Sequence, residues 1–290
     1  MRWLLGIDLR DRGRGALNMA AWLRDQPFPE PTELVAVHVI DERIWGPHDV
    51  AEALRPSAER ALERELMSLG SNRVSARVVT APSVEIGLAG VAKEMGCDAL
   101  LIGRAAPRRG RRLVRLGSTA RRILRELPLP VMVVPADMPR SDLGAGPLVL
   151  GVELDRSSVA AARLAQELAV ALHRELTVVH VDSWYLVIPD YVGGGAVVMP
   201  REPRRTPADV SAWAKRHHLA APAEIQIGDG DVVERLMDEA QSVSAPMIVV
   251  GSRELDVVER VFSSSVASAL ASHADRPVLV VPPQRVEVAT

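Results

Sequence analysis

Two glycines, a serine and a threonine frame the chemistry this sequence can do. Gly103 ends an apolar run, and Gly117-Ser118-Thr119 opens a short amphipathic segment. Glycine at both ends of a loop, with hydroxyls at the mouth of a helix, presents backbone N–H and O–H donors to a phosphate. The loop between is crowded with arginines, Arg104, Arg108, Arg109, Arg111, Arg112 and Arg115, which can add charge-assisted contacts to an anion. Asp8 closes the N-terminal apolar run, where an open parallel sheet takes its ligands. Other chemistries are not assembled. There is no Ser-His-Asp order, HExxH or Walker loop. The single cysteine, Cys97, excludes an internal disulfide and a cysteine zinc cluster and fits a reducing cytoplasm. His38 and His180 fall inside apolar strands and read as satisfied strand histidines rather than a metal pair.

These residues need strands and helices to place them. Arg2–Leu9, Glu33–Ile40, Arg73–Thr80, Asp98–Ile102 and Val131–Val134 read as strands, each a near-continuous apolar or β-branched run. Between them Gly13–Gln26, His48–Gly70, Val84–Gly96 and the segment after Gly117 carry apolar residues at helical spacing. Strands that alternate with helices and are apolar on both faces indicate a parallel sheet covered on both sides.

The pattern then restarts. LVLGVEL at Leu148 repeats LLGIDL, ELTVVHVDS repeats ELVAVHVID, and GSRELDVVERVFSSSVASALASHADRPVLVVP, Gly251 to Pro282, is a second copy of Gly103–Pro135. Pro130 and Pro277 lie 147 residues apart, too long a period for a solenoid, so the chain is two copies of one domain. The expected division is domain 1 at 1–136, a Pro/Gly-rich linker at 137–147 and domain 2 at 148–290, with an irregular insertion over Trp184–Pro207. At 290 residues and 48% hydrophobic the chain can bury two cores, and its net charge of −2 argues against general nucleic-acid binding. No stretch approaches the length of a membrane span, and the N-terminal apolar run is too short for a signal peptide, so a cytoplasmic protein is expected.

Each half resembles a universal stress protein domain: a strand ending in Asp, then G-x-x-G, nine residues, G-[ST], a helix and a P-V-x-V-V strand. The resemblance implies two Rossmann-like α/β domains in tandem, each a five-stranded parallel sheet flanked by helices. It also implies an internal pseudo-dimer joined through the fifth strands, Val131–Val134 and Val278–Val281, with a homodimer of the whole chain left open. In the family some members bind ATP and others do not. Carried over, Asp8 and the turn Val39, Ile40, Asp41 would hold ribose and adenine; Gly103, Arg104, Ala106, Gly117, Ser118 and Thr119 would hold the phosphates, with or without Mg²⁺.

Two departures mark the first copy. Ala106 stands at the second motif glycine, and ten residues (107–116) separate it from Gly117 where the family has nine. The second copy departs further. Glu153 replaces Asp8, Glu254 and Asp256 bring negative charge to the loop, and Ser264 replaces the glycine of the G-[ST] pair. Ser263-Ser264-Ser265 there reads as a helix cap. The expected function is a stress-response, non-catalytic ATP-binding module with nucleotide mainly in domain 1, acting on an unknown protein partner. The alternatives are a nucleotide-free scaffold, and slow ATP hydrolysis or autophosphorylation on Ser118 or Thr119.

Overall fold

A computed structural model describes residues 1–9, 14–29, 31–67, 74–104, 116–126, 129–182, 185–189, 196–200, 204–252 and 266–283. The first half runs β1 (Arg2–Gly6), α1 (Arg14–Arg24), β2 (Glu33–Asp41), α2 (Glu42–Trp45), α3 (His48–Ala53), α4 (Arg55–Met67), β3 (Val74–Ala81), α5 (Val84–Met95), β4 (Ala99–Gly103), α6 (Ser118–Glu126) and β5 (Val131–Val134). The second half runs β6 (Leu148–Gly151), α7 (Val159–Ala171), β7 (Leu176–Asp182), β8 (Tyr185–Pro189), β9 (Ala196–Pro200), α8 (Pro207–Arg216), β10 (Glu224–Asp229), α9 (Val232–Ser242), β11 (Ile248–Gly251), α10 (Val266–His273) and β12 (Val278–Val281).

Side-chain caps fix several of these boundaries. Ser83 Oγ accepts the Ile86 N–H to open α5, and Gly96 at φ 60° closes it in the left-handed conformation that glycine adopts without a Cβ clash. Asp231 caps α9, and Thr206 with Asp209 forms a capping box on α8.

Ten strands form one sheet in the order β10-β7-β6-β11-β12-β5-β4-β1-β2-β3. Each half contributes five parallel strands, and the halves meet where β5 and β12 pair antiparallel, Met132 opposite Leu279. One face carries a core continuous across both halves, from Trp3, Met19 and Leu62 to Leu168, Trp213 and Leu279. On the other face each half has its own core, and each lends a residue to its neighbour. Ala271 of α10 packs into the first-half core and Leu124 of α6 against the second-half core.

Three segments differ from expectation. The helix expected over His48–Gly70 is broken at Leu54 into α3 and α4, because Pro56 has no N–H to continue the ladder. The insertion expected to be irregular contains an antiparallel hairpin, β8 with β9, Tyr185 opposite Pro200. The 137–147 segment is packed rather than a free tether: Met138 and Leu143 are buried in the shared core, Asn18 donates to the Met138 carbonyl, and Arg140 pairs with Asp25 at 2.6 Å.

Candidate functional site

β1 lies between β4 and β2, and the helices that follow β1 and β4 go to opposite faces, α1 to the shared core and α6 to the first-half core. That reversal opens a crevice beyond the carboxyl ends of the strands, the place where such sheets bind ligands. The tips of three neighbouring strands bring Gly103, Asp8 and Val39–Asp41 to its rim.

The tip of β1 is held in an unusual way, and identically in both halves. Ile7 donates its N–H to the Val37 carbonyl and receives His38 Nδ1 on its own carbonyl at 2.8 Å. His180 Nδ1 does the same to Val152, again at 2.8 Å. Each histidine thus ties the strand tip through Nδ1, as a strand histidine was expected to do, but among the described residues His180 Nε2 is buried without a hydrogen-bond partner, 3.7 Å from Asp182 Oδ1. The residue after each acid is left-handed, Leu9 at φ 54° and Leu154 at φ 61°. A leucine there costs about 1–2 kcal/mol, so the fold spends stability to turn exposed Asp8 and exposed Glu153 at the same strand end.

Val39, Ile40 and Asp41, expected in the turn after β2, are instead its last three residues, and this end of the strand is more heavily tied than the sequence showed. Val39 and Ile40 bury their side chains on opposite faces of the sheet, which leaves only their backbone for a ligand. Asp41 is buried, and its carboxylate accepts from the Arg43 N–H and from Arg43 Nη2 at 2.7 Å, capping α2. Arg43 Nη1 reaches buried Glu85 at 3.1 Å, and Arg122 Nε of α6 stands 3.6 Å from the same Glu85 oxygen. The network therefore links the end of β2, the first turn of α5 and the helix that starts at Ser118. The sequence offered a signal for it: an acid in the first turn after the Ser83 cap, and an arginine two residues beyond Asp41.

Hydrogen bonds from Arg43 hold the Asp41 carboxyl below its ordinary 3.8. For Glu85 burial pushes upward, but its own backbone N–H, Arg43, Ser83 and Arg122 together hold it below its ordinary 4.5. Both folded values are depressed, so this stabilisation is full above the unfolded values and is lost as pH falls through the folded ones. Arg43→Met should lower the urea midpoint at pH 7, and the deficit should begin to shrink as pH falls below about 4, where the unfolded carboxyls take up protons, and go on shrinking toward the lower folded values. A deficit that stays constant from pH 7 to pH 3 would show that the network contributes through packing alone.

At the other side of the crevice Leu116, Ala120 and Ile123 bury themselves in the first-half core and leave Ser118 exposed at the helix mouth. Among the described residues, nothing lies within 4 Å of where a Cβ on Gly117 would stand. Gly103 is half-buried at the end of β4. Ala106 and the arginines from Arg108 to Arg115 lie outside the described residues, as do Glu254, Asp256 and Ser263 to Ser265. Arg104 is described, and its guanidinium is engaged on α10 of the second half, with Nη1 2.8 Å from the Ser272 carbonyl.

In the second half the strand tip that matches Gly103 is packed closely against its own chain. A Cβ on Gly251, the counterpart of Gly103, would stand 2.6 Å from the Ser157 carbonyl oxygen. The turn that carries Ser157 is locked, because Asp155 accepts the Ser157 N–H, Ser158 Oγ accepts the Glu153 N–H, and Trp213 Nε1 donates to the Asp155 carbonyl. Among the described residues no group of three or more His, Cys, Asp or Glu is arranged to hold a metal, and no helix is long and apolar enough to cross a membrane.

The model of the Universal stress protein family matches twice, over residues 1–135 and 146–282. The chain belongs to that family. The stress response protein NhaX of Bacillus subtilis is 25% identical over 159 residues, 46% of this chain and 96% of that protein. The crystal structure of a universal stress protein from Archaeoglobus fulgidus superposes with a TM-score of 0.72 at 16% identity, covering 98% of both chains. A functionally unknown protein from Pseudomonas aeruginosa superposes with a TM-score of 0.62 at 15% identity, over 97% of this chain and 92% of that one. At such identities the two structures speak for the fold, and both match nearly the whole tandem arrangement.

Proposed function

We propose that this tandem universal stress protein binds ATP in its first domain and acts without catalysis, its bound state setting what a protein partner meets. The observation that carries the reading is Gly117, whose Cβ position meets none of the described residues within 4 Å. There α6 begins at Ser118 and Thr119, which offer N–H and hydroxyl donors to a phosphate, on the sheet edge that also carries Gly103 and Asp8. The ribose would lie toward exposed Asp8, and the adenine toward the backbone of Val39, Ile40 and Asp41, whose side chains are already committed. Any Mg²⁺ would be held chiefly by the phosphates themselves. The second domain is not assigned a nucleotide, because the loop after Gly251 carries Glu254 and Asp256, whose charge would repel phosphates. The lone buried Cys97 and the absence of a spanning helix among the described residues favour the cytoplasm, where ATP is found.

Calorimetric titration of ATP with Mg²⁺ should give binding heat with the wild type and none with Gly117→Glu. The first carbon of the new side chain meets none of the described residues, so the variant should keep the wild-type urea midpoint while its carboxylate repels the phosphates. No heat with the wild type would leave the nucleotide-free scaffold as the function. Heat that survives the substitution would move the site away from α6. Phosphate released over hours and abolished by Ser118→Ala would make the protein a slow ATPase instead.

A further inference from the structure

Arg104 is the first residue beyond Gly103. Its N–H donates to the Val134 carbonyl at 2.7 Å, which pins its backbone to β5. Its side chain crosses the seam between the halves. Nη1 donates to the Ser272 and Ala274 carbonyl oxygens, each at 2.8 Å, and lies 3.5 Å from that of Ala271. These carbonyls stand at the C-terminus of α10, the negative end of the helix, whose last groups have no partner within the helix. The guanidinium of one domain therefore caps a helix of the other.

Among the described residues the contact has no counterpart in the other direction. Ser252, the counterpart of Arg104, repeats the backbone bond by donating to the Val281 carbonyl at 2.8 Å, but its hydroxymethyl side chain is far shorter than an arginine's. Nor is Arg104 at its best partners. Burial pulls its guanidinium below the ordinary value, with Asp275 acting against that, and its hydrogen-bond acceptors on α10 are neutral carbonyls. These bonds already have a charged donor, but an anionic acceptor would add a Coulomb attraction that a carbonyl lacks and can take the planar guanidinium through two parallel bonds. A phosphate at Gly103 would stand next in sequence to a cation whose hydrogen-bond acceptors, among the described residues, are carbonyl oxygens.

We propose that Arg104 exchanges partners: without ligand it caps α10, and with a phosphate group at Gly103 it turns to the anion and leaves the end of α10 uncapped. The second domain thereby registers what the first has bound. The proposal rests on the nucleotide reading of the first domain and adds to it a route between domains. The ligand has the required differential interaction with the two states, because it offers Arg104 an anionic acceptor in one and nothing in the other. The consequence reaches the first-half core as well, since Ala271 in the last turns of α10 packs there.

Hydrogen exchange of the amides from Leu270 to Ala274, read beside calorimetry, tests the exchange of partners. Arg104→Met should speed their exchange by about tenfold, the loss expected for bonds from a charged donor. ATP with Mg²⁺ should speed the same amides in the wild type and leave those of Arg104→Met unchanged. Inorganic tripolyphosphate should act as ATP does, because the proposal asks only for phosphate oxygens. Binding heat with an unmoved α10 would overturn the switch and spare the nucleotide site. No heat from either probe would overturn both. Unchanged exchange in Arg104→Met would overturn the cap itself.

Discussion

Gly146→Ala should lower the stability of the chain by about 3 kcal/mol or more, a loss reserved for substitutions with a specific steric cause. A Cβ at this position would stand 1.7 Å from the Val243 carbonyl oxygen and 3.0 Å from that of Ser244. Both are backbone atoms, so no side-chain rotation relieves the overlap; the chain itself must move. The movement has consequences, because the Gly146 N–H donates to the Ser244 carbonyl at 3.0 Å and the Gly146 carbonyl accepts Arg174 Nη1 at 2.8 Å. Arg174 in turn lies over the Trp22 ring, 5.6 Å from its centre, and so joins the second half to the first. Gly90→Ala is the matched control. Among the described residues nothing lies within 4 Å of its Cβ position inside α5, and alanine is the better helix former by up to about 1 kcal/mol. Urea unfolding should separate the two variants widely. A Gly146→Ala midpoint equal to the wild type would mean that the 137–147 segment is as loose as its composition suggests.

That segment shows where the sequence stops being informative. Its prolines and glycines mark the end of one periodic pattern and the start of another, and a boundary is all they can mark. Whether Gly144 and Gly146 are flexible hinges or points of close approach depends on Val243 and Ser244, about a hundred residues away. The strands and the repeat were legible for the opposite reason. ELVAVHVID and ELTVVHVDS carry their burial in their own composition, and a strand buried on both faces needs no distant partner to be recognised. The β8–β9 hairpin was in principle readable, as two short β-branched runs around Gly193-Gly194-Gly195. Pro189 and Pro200 argued against strand, yet they sit at the ends of a two-stranded ribbon, where a missing ladder N–H is tolerated.

The candidate site divides in the same way. Asp8, Gly103 and Gly117 stand where a strand tip or a helix mouth must place them, and the alternation of strands and helices is enough to predict that. Charged side chains are different, because each chooses among partners that only the fold brings near. Asp41 was read as a ligand residue, and the structure joins it to Arg43 and Glu85. Arg104 was read as a phosphate contact, and in the structure it reaches carbonyls about 170 residues further along the chain. The seam between the halves is the deepest such case, since it decides whether the duplication makes two domains or one folding unit.

Leu279→Ala should destabilise both halves together by about 2–5 kcal/mol, the range for removing a buried leucine side chain without full collapse of the cavity. Met132 and Leu279 are 147 residues apart, the spacing of the repeat, and they pair with each other across the β5–β12 seam. Equivalent residues that face each other are the mark of a twofold interface, here built within one chain. Both are fully buried, and Val131 with Val280 and Val133 with Val278 complete the pairing on either side. Without the seam, β5 and β12 would each be an apolar edge strand with unpaired backbone groups, which is a template for aggregation. Met132→Ala should therefore behave like Leu279→Ala. The double variant should lose less than the sum, because the two truncations open one shared cavity. Hydrogen exchange in increasing urea distinguishes the outcomes residue by residue. If the seam makes the chain one cooperative unit, the slow amides of β1 and β4 should lose protection at the same lowered urea concentration as those of β6 and β11. Loss confined to residues 148–283 would instead show two domains that fold alone and merely touch along β5 and β12.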